Sequence, residues 1–358
     1  MRIFHVISGF ENGGVEALIY RAALKAPSNA ELHIVAHTAP ADMCVKRFHS
    51  LGVTVHFVPC RKRYFAHKRA LYELFLKYSP DVVHVHTTEW GYLALGAAKR
   101  TGVPVRIQHS HAARVKTSPL CALFFKWSFS RARRAATRLV ACGKEAAERS
   151  FGYKAVTRSE CLVLRNGIDT AHFAFSPERR AETRTALGVD DDTVVVGMVA
   201  RFSPQKNHEA ALRIFAAYHE KHPNSVLLLV GGGERLAKIK ALAEKRLPAG
   251  GVIFYGIAED TAPLYDAMDV FLLPSRFEGL PITLIEAQCS GLASLVSTAV
   301  TREAVLTDLV RFLPTQRVQA WCAALGDLPL RERGEYAARV AARGYDASDN
   351  ADFYSLYT

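Results

Sequence analysis

Short runs of β-branched and aliphatic residues recur along this chain at intervals too long for hairpins, with helix-spaced segments between them. Seven such runs come first: RIFHVIS (2–8), ELHIVAH (31–37), VTVHFVP (53–59), DVVHVHT (81–87), VRIQHSH (105–111), RLVACG (138–143) and CLVLRNG (161–167). Five follow: TVVVGMVAR (193–201), SVLLLVGGG (225–233), VIFYG (252–256), VFLLPS (270–275) and SLVSTAV (294–300). Stretches such as HEAALRIFAAYHEKH (208–222) and RLAKIKALAEKRL (235–247) carry helical apolar spacing. Strands that are apolar nearly throughout are buried on both faces, and parallel neighbours need a crossover helix, so the pattern demands parallel sheets covered by helices. There are too many strands for one open sheet of ordinary size. The pattern restarts after the polar stretch NGIDTAHFAFSPERRAETRTALGVDDD (166–192). The expected fold class is therefore α/β, two doubly wound parallel-sheet domains in tandem, with the boundary at residues 175/176. In such folds ligands collect at the carboxyl ends of the strands.

Charge separates the halves. Residues 1–175 hold 26 Lys and Arg against 11 Asp and Glu, a net of +15, and residues 176–358 hold 20 against 23, a net of −3. Eleven of the fourteen histidines also lie in the first half. A basic half joined to a near-neutral one points to an anionic partner on one side: nucleic acid, a membrane surface or a phosphorylated substrate. The densest stretch, CALFFKWSFSRARRAATR (121–138), interleaves Arg131, Arg133, Arg134 and Arg138 with Phe124, Phe125, Trp127 and Phe129. Such a helix suits a membrane interface, and it suits equally a helix with one buried and one solvated face. No apolar run reaches the roughly 18–20 residues that span a bilayer. MRIFHVISGFENGG reads as a strand and a glycine turn, not as a signal peptide. Seven cysteines without a CxxC pair fit a reducing cytosol better than a disulfide framework or zinc finger.

Two regions carry ligand chemistry. After the first strand, Gly9, Gly13 and Gly14 precede a helix, so backbone amides there can approach an anion. The spacing is neither GxGxxG nor a P-loop, and no acidic residue ends the second strand for a ribose. In the second half, Arg201 and Lys206 flank a Ser-Pro turn and can grip a diphosphate from two directions. Glu278 precedes a helix that begins near Pro281, and Glu286 is the only charge between Leu280 and Ala293. A carboxylate among buried residues needs a partner, which a ligand's hydroxyl pair supplies. Taken singly, each pair reads more readily as a structural salt bridge, Arg201 with Glu286 for instance. Their ordered combination points to a ligand.

VGMVARFSPQKN, LLLVGGGE and VFLLPSRFEGLPITLIEAQCSGL together resemble the carboxy-terminal half of retaining GT-B glycosyltransferases of family 4, the glycosyl transferases group 1 of bacterial polysaccharide-biosynthesis type. The most specific piece is the E-x7-E pair, Glu278 and Glu286. The opening GGVE, NGID at 166–169 and the closing YDASDNADFYSLYT resemble the same family, so the likeness covers nearly the whole chain. It implies a GT-B fold of two Rossmann-like domains facing a cleft: an acceptor-side domain (1–175), a nucleotide-sugar domain (176–344) and a last helix (345–358) crossing back to the first. It implies a retaining, metal-independent transfer of a hexose or N-acetylhexosamine from a nucleotide-diphosphate sugar, UDP-linked by preference, to a lipid-linked or cell-surface saccharide. Arg201 and Lys206 would then neutralise the leaving diphosphate. Glu278 would bind sugar hydroxyls and Glu286 the ribose, while Gly13, Gly14, Gly279, Leu280 and Pro281 would border sugar and phosphate. A histidine ending the fifth strand would contact the sugar, His111 before His109.

Several expectations complete this reading. No cofactor is expected beyond the donor substrate, and no metal site, since the His84/His86 and His109/His111 pairs lack a carboxylate or thiolate at ligand spacing. Asp190-Asp191-Asp192 precedes a strand and reads as a solvated loop. The departures from the family pattern, Ala293 in place of proline and the segment 301–316, concern packing more than the diphosphate clamp. The expected location is cytoplasmic, at the inner membrane face, with peripheral contact of the basic domain with anionic lipid. A nucleotide-sugar epimerase on the same fold is the alternative. A basic nucleic-acid-binding protein is a third reading, but no helix-turn-helix, zinc-finger or RNA-recognition signature supports nucleic acid as a partner.

Overall fold

The computed structural model describes residues 1–10, 14–37, 42–87, 89–111, 118–327, 333–348 and 353–357, with the backbone alone at 42–44. The chain divides into two compact units, Met1–Asn166 with Asn350–Thr358, and Gly167–Asp349.

The first unit is a parallel sheet of β1 (Arg2–Val6), β2 (Glu31–Ala36), β3 (Thr54–Phe57), β4 (Val82–Val85), β5 (Val105–Ser110), β6 (Arg138–Ala141) and β7 (Cys161–Val163). Its strand order is β3-β2-β1-β4-β5-β6-β7. The second holds β8 (Val194–Val199), β9 (Ser225–Val230), β10 (Val252–Gly256), β11 (Val270–Leu273), β12 (Ala293–Ser297) and β13 (Val310–Leu313), also parallel, in the order β10-β9-β8-β11-β12-β13. The two doubly wound sheets are those the apolar runs demand. Successive residues of one strand feed cores on opposite faces: Ile3 packs with Ile19 and Ile34, Phe4 with Leu71 and Phe75. Val196 and Met198 join one core of the second unit, Val195 and Val199 the other. This is the two-sided burial a parallel sheet requires.

Strand β13 is not among the runs the sequence announces. It is a four-residue edge strand in which Arg311 is exposed and only Leu313 is buried, so it shows no continuous apolar run. The division between units falls at 166/167, not at 175/176. Ile168 is the reason: it is fully buried with Ile285, Cys289, Val340 and Tyr345. Its N–H donates to the Tyr345 carbonyl at 2.8 Å, and its carbonyl accepts from Ala347 N–H at 2.8 Å. Tyr345 therefore stays with the second unit. Phe353–Leu356 forms a turn of 3-10 helix in place of the longer helix expected. Phe353, Tyr354, Leu356 and Tyr357 lie in the core of the first unit, and Tyr354 Oη donates to the Ala22 carbonyl at 2.9 Å.

In each sheet the direction of strand addition reverses once, between β1 and β4 and between β8 and β11. A crevice opens outside the carboxyl ends at such a reversal. In the second unit the loop after β9 presses against the loop after β8. A Cβ on Gly231 (φ 135°) would lie 2.3 Å from the Ala200 carbonyl oxygen, and one on Gly233 (φ 145°) 2.7 Å from that of Phe202. Only glycine permits both the backbone conformation and the approach. Asp190, Asp191 and Asp192 are exposed in the turn before β8.

Candidate functional site

The loops after β8 and β11 are tied together at the strand reversal of the second unit. Arg276 N–H donates to the Gln205 carbonyl at 2.8 Å, and Asn207 Nδ2 donates to the Pro274 carbonyl at 3.1 Å. Asn207 turns the chain in the left-handed region (φ 60°) and opens the helix His208–His219. Asparagine tolerates that conformation better than most side chains. These contacts place Lys206 against Glu278: Nζ stands 2.7 Å from Oε1. Gln205 Nε2 donates to Glu278 Oε2 at 3.1 Å and to the Phe277 carbonyl at 3.0 Å. Glu278 is buried, and both its oxygens are engaged, as burial of a carboxylate demands. Arg201 begins the same loop and donates from Nη2 to Glu234 at 3.1 Å.

Eight residues beyond Glu278, Glu286 accepts a hydrogen bond from Tyr265 Oη at 2.8 Å. Tyr265 is fully buried, and burial together with that carboxylate holds its phenol protonated well above the usual range. Pro281 stands at the N-cap of helix Ile282–Cys289, one place earlier than expected, and no side chain caps the helix. Gly279 and Leu280 are half-buried beside it. The structure thus gathers Lys206 and Glu278 at one point, with Arg201 on the same loop as Lys206. It pairs Arg201 with Glu234 and Glu286 with Tyr265, two partners that sequence reasoning does not name. Gln205, Asn207 and Tyr265 are likewise missed by it. Gln205 and Asn207 flank Lys206 in PQKN and are legible as neighbours of a cation; nothing in the sequence pairs Tyr265 with Glu286.

His208 follows this loop, buried and stacked on Phe202 with ring centroids 4.1 Å apart. Burial, reinforced by the Lys206 charge, lowers its pKa to about 3. The unfolded chain binds that proton near pH 6.5, so stability from this group is complete above pH 6.5 and is lost as pH falls toward 3. Between pH 6.5 and 5 the loss is about 1.6 kcal/mol. Urea unfolding of the second unit at the two pH values should show it, and His208→Met should flatten the slope.

In the first unit, His5 on β1, His84 and His86 on and just after β4, and His109 and His111 on and just after β5 form one cluster. Register pairs His5 with His84 across the reversal, and the i, i+2 spacing puts the others on the same face. His86 Nε2 meets His5 Nδ1 at 3.1 Å and its Nδ1 meets His111 Nε2 at 3.2 Å. His84 Nε2 meets His109 Nδ1 at 3.2 Å, and its Nδ1 meets Tyr357 Oη at 2.9 Å. Burial keeps these rings neutral: His5 is lowered to about 3 and His111 to about 4, and the other three lie well below their ordinary value. His109 is fully buried, whereas His111 is half-buried. Gly14 is the exposed first residue of helix Gly14–Leu24, and Gly13 lies outside the described residues.

Helix Pro119–Ala135 has one buried and one solvated face. Ser128, Phe129, Ala132 and Ala135 are buried, while Leu120 is 81% and Leu123 66% exposed beside exposed Trp127, Lys126, Arg131 and Arg134. No helix among the described residues is long and apolar enough to cross a membrane.

Two family models match the chain: Glycosyltransferase Family 4 over residues 12–172 and Glycosyl transferases group 1 over residues 179–345. EpsF of Bacillus subtilis (strain 168), assigned as a glycosyltransferase, is 32% identical over 368 residues, covering 98% of this chain and 94% of that one. The UDP-Gal:alpha-D-GlcNAc-diphosphoundecaprenol alpha-1,3-galactosyltransferase of Escherichia coli is 32% identical over 238 residues, covering 64% of this chain and 60% of that one. Among solved structures, HepE of Anabaena in complex with UDP-glucose superposes with a TM-score of 0.78 at 17% identity, covering 98% of this chain and 97% of that chain. WaaG, a glycosyltransferase involved in lipopolysaccharide biosynthesis, superposes with a TM-score of 0.72 at 19% identity, covering 99% and 97%. These likenesses give the fold its class, GT-B.

Proposed function

Since this chain belongs to the group 1 glycosyltransferases of family 4, we propose that it transfers a hexose or N-acetylhexosamine, with retention at the anomeric carbon, from a UDP-sugar to a lipid-linked saccharide at the cytoplasmic membrane face. The observation that carries this reading is the Lys206–Glu278 pair at the carboxyl-end reversal of the second sheet. A glycosyl transfer from a nucleotide sugar leaves a diphosphate that gains charge as the anomeric bond breaks. Lys206 and Arg201 supply fixed positive charge for it, the role a divalent cation plays where such side chains are lacking. The Gly279 and Leu280 amides and the uncapped start of helix Ile282–Cys289 add donors to the phosphates. Glu278 trades part of its present bonding for sugar hydroxyls, and Glu286, oriented by Tyr265, accepts from the ribose. Pro281 borders the sugar.

Retention follows from front-face attack in which a donor phosphate oxygen takes the acceptor proton. The Escherichia coli relative's name, with its UDP-Gal donor and diphosphoundecaprenol acceptor, supports a UDP-linked donor and a diphosphate-lipid acceptor. Added Mg2+ or Mn2+ is not needed, and no cofactor enters the reaction.

Melting curves with a panel of nucleoside diphosphates test the donor assignment. At about 100 times its Kd a ligand adds roughly 2.7 kcal/mol to stability. UDP should raise Tm without added metal and should fail to do so in Lys206→Ala; equal shifts with every base would overturn the uridine assignment. The basic helix Pro119–Ala135 should bring the protein to the membrane, with Leu120, Leu123 and Trp127 entering the interface and Arg131 and Arg134 facing anionic headgroups. Sedimentation with phosphatidylglycerol vesicles should be strong, and Leu123→Glu with Trp127→Glu should abolish it. Equal sedimentation of the variant would contradict the contact.

A further inference from the structure

We propose that His86, His109 and His111 form a binding site for a divalent transition metal of the zinc, nickel or copper class, with His5 and His84 holding two of the ligand rings from behind. The site lies in the first unit and does not depend on the donor reading.

The three residues each bring a ring nitrogen within 4.8 Å of the others. A tetrahedral ion with metal–nitrogen bonds of about 2.0–2.1 Å sets its ligand atoms about 3.3 Å apart. His86 Nδ1 and His111 Nε2 already stand at 3.2 Å. As a plain polar network the cluster is incomplete: His109 Nε2 is fully buried and has no hydrogen-bond partner among the described residues. Buried polar atoms are normally paired, so this lone pair wants an electrophile. A metal is the electrophile that satisfies it together with the neighbouring rings.

The outer contacts have the arrangement metal-bound histidines need. Such a ring normally gives its second N–H to an acceptor, which sets tautomer and orientation. His86, ligating through Nδ1, has Nε2 on His5 Nδ1 at 3.1 Å. His109, ligating through Nε2, has Nδ1 on His84 Nε2 at 3.2 Å. His84 in turn meets Tyr357 Oη at 2.9 Å, so the chain of contacts reaches a hydroxyl, a group that both donates and accepts. Imidazole ligands select borderline ions over Mg2+ and Ca2+, which prefer oxygen. Half-buried His111 leaves one side open, so a fourth position faces water or a ligand oxygen. The sequence shows two His-x-His pairs, and the sheet adds His5 and orders them. A borderline ion on histidines and a diphosphate that needs no Mg2+ are compatible.

The test uses the tag-free 358-residue chain, titrated with Co2+ and followed by its visible d–d bands, then with Zn2+ by calorimetry and by metal content after dialysis. One ion per chain is expected, with d–d intensity typical of four- or five-coordination. His111→Ala, at a half-buried position, should weaken Zn2+ binding by at least 100-fold. His84→Phe, behind the ligands, should weaken it about 10- to 100-fold. His49→Ala, an exposed histidine outside the cluster, should leave it unchanged. Unaltered binding in His111→Ala, fewer than one ion per chain, or Co2+ spectra of simple octahedral hydration would each overturn the site. Every readout is metal binding, so its failure leaves the transferase reading intact, and failure of donor binding leaves the metal site intact.

Discussion

Lys206→Ala is expected to lower kcat/KM for sugar transfer by about 1,000-fold. Removing one group that stabilises charge developing in a transition state costs on the order of 100- to 1,000-fold, and Lys206 is fixed by a 2.7 Å contact with a buried carboxylate. The same contact complicates the experiment. Deleting one partner of a buried ion pair leaves the other charge uncompensated, at a cost of about 3–5 kcal/mol. Loss of activity in Lys206→Ala alone could therefore reflect a displaced Glu278. The double variant Lys206→Met, Glu278→Gln separates the two. It replaces the pair with neutral groups of similar volume, a change that is often neutral or stabilising, and the introduced amide can still accept from Gln205. Unfolding by urea should then be close to that of the native chain while transfer stays at least 1,000-fold down. Recovery of both stability and activity in the double variant would show that the pair is a strut and not the diphosphate clamp.

Asp266→Ala should be the most destabilising single change in the second unit, by about 3–5 kcal/mol. Asp266 is fully buried between Arg179, whose Nε lies 2.6 Å from Oδ2, and Ser290, whose Oγ donates to Oδ1 at 3.0 Å. Arg333 closes the same knot. Its guanidinium donates to the carbonyls of Tyr265 at 2.9 Å and Ser290 at 2.7 Å and to Ser290 Oγ at 2.6 Å, and it covers the Phe175 ring at 4.0 Å. Burial pulls the Arg333 pKa down to about 9 even with Asp266 opposing it. Removing the carboxylate strands two guanidinium charges. Because Tyr265 precedes Asp266 and carries the hydrogen bond to Glu286, the variant should also raise KM for the donor. Asp266→Asn keeps an acceptor for Ser290 and should lose less stability than Asp266→Ala in the same urea titration. A larger loss for the amide would contradict the charge-pairing account.

The strands are legible because their residues are apolar on both faces, a pattern visible without neighbours. The edge strand Val310–Leu313 is not, since exposed Arg311 breaks the run. The unit boundary is displaced by the polar composition around Ile168, whose fully buried side chain anchors that segment to Val340 and Tyr345. Arg201, Lys206, Glu278 and Glu286 are legible as charges at strand ends and helix starts. The partners of two are not: Glu234 reaches Arg201 and Tyr265 reaches Glu286 only through the order of strands, which periodicity does not encode. The histidines divide the same way. His84/His86 and His109/His111 can be read as pairs, but His5 joins them because β1 lies beside β4, a crossover that only the sheet reveals.

The most direct test of the central claim is sugar transfer itself. The purified chain is given UDP-glucose, UDP-galactose and their N-acetyl forms with a polyprenyl-diphosphate-linked sugar, and the product's anomeric configuration is read by NMR. Acceptor-dependent release of UDP with an α-linked product from an α-donor is the predicted result. A β-linked product would contradict retention, and conversion of the donor sugar without any acceptor would identify an epimerase instead.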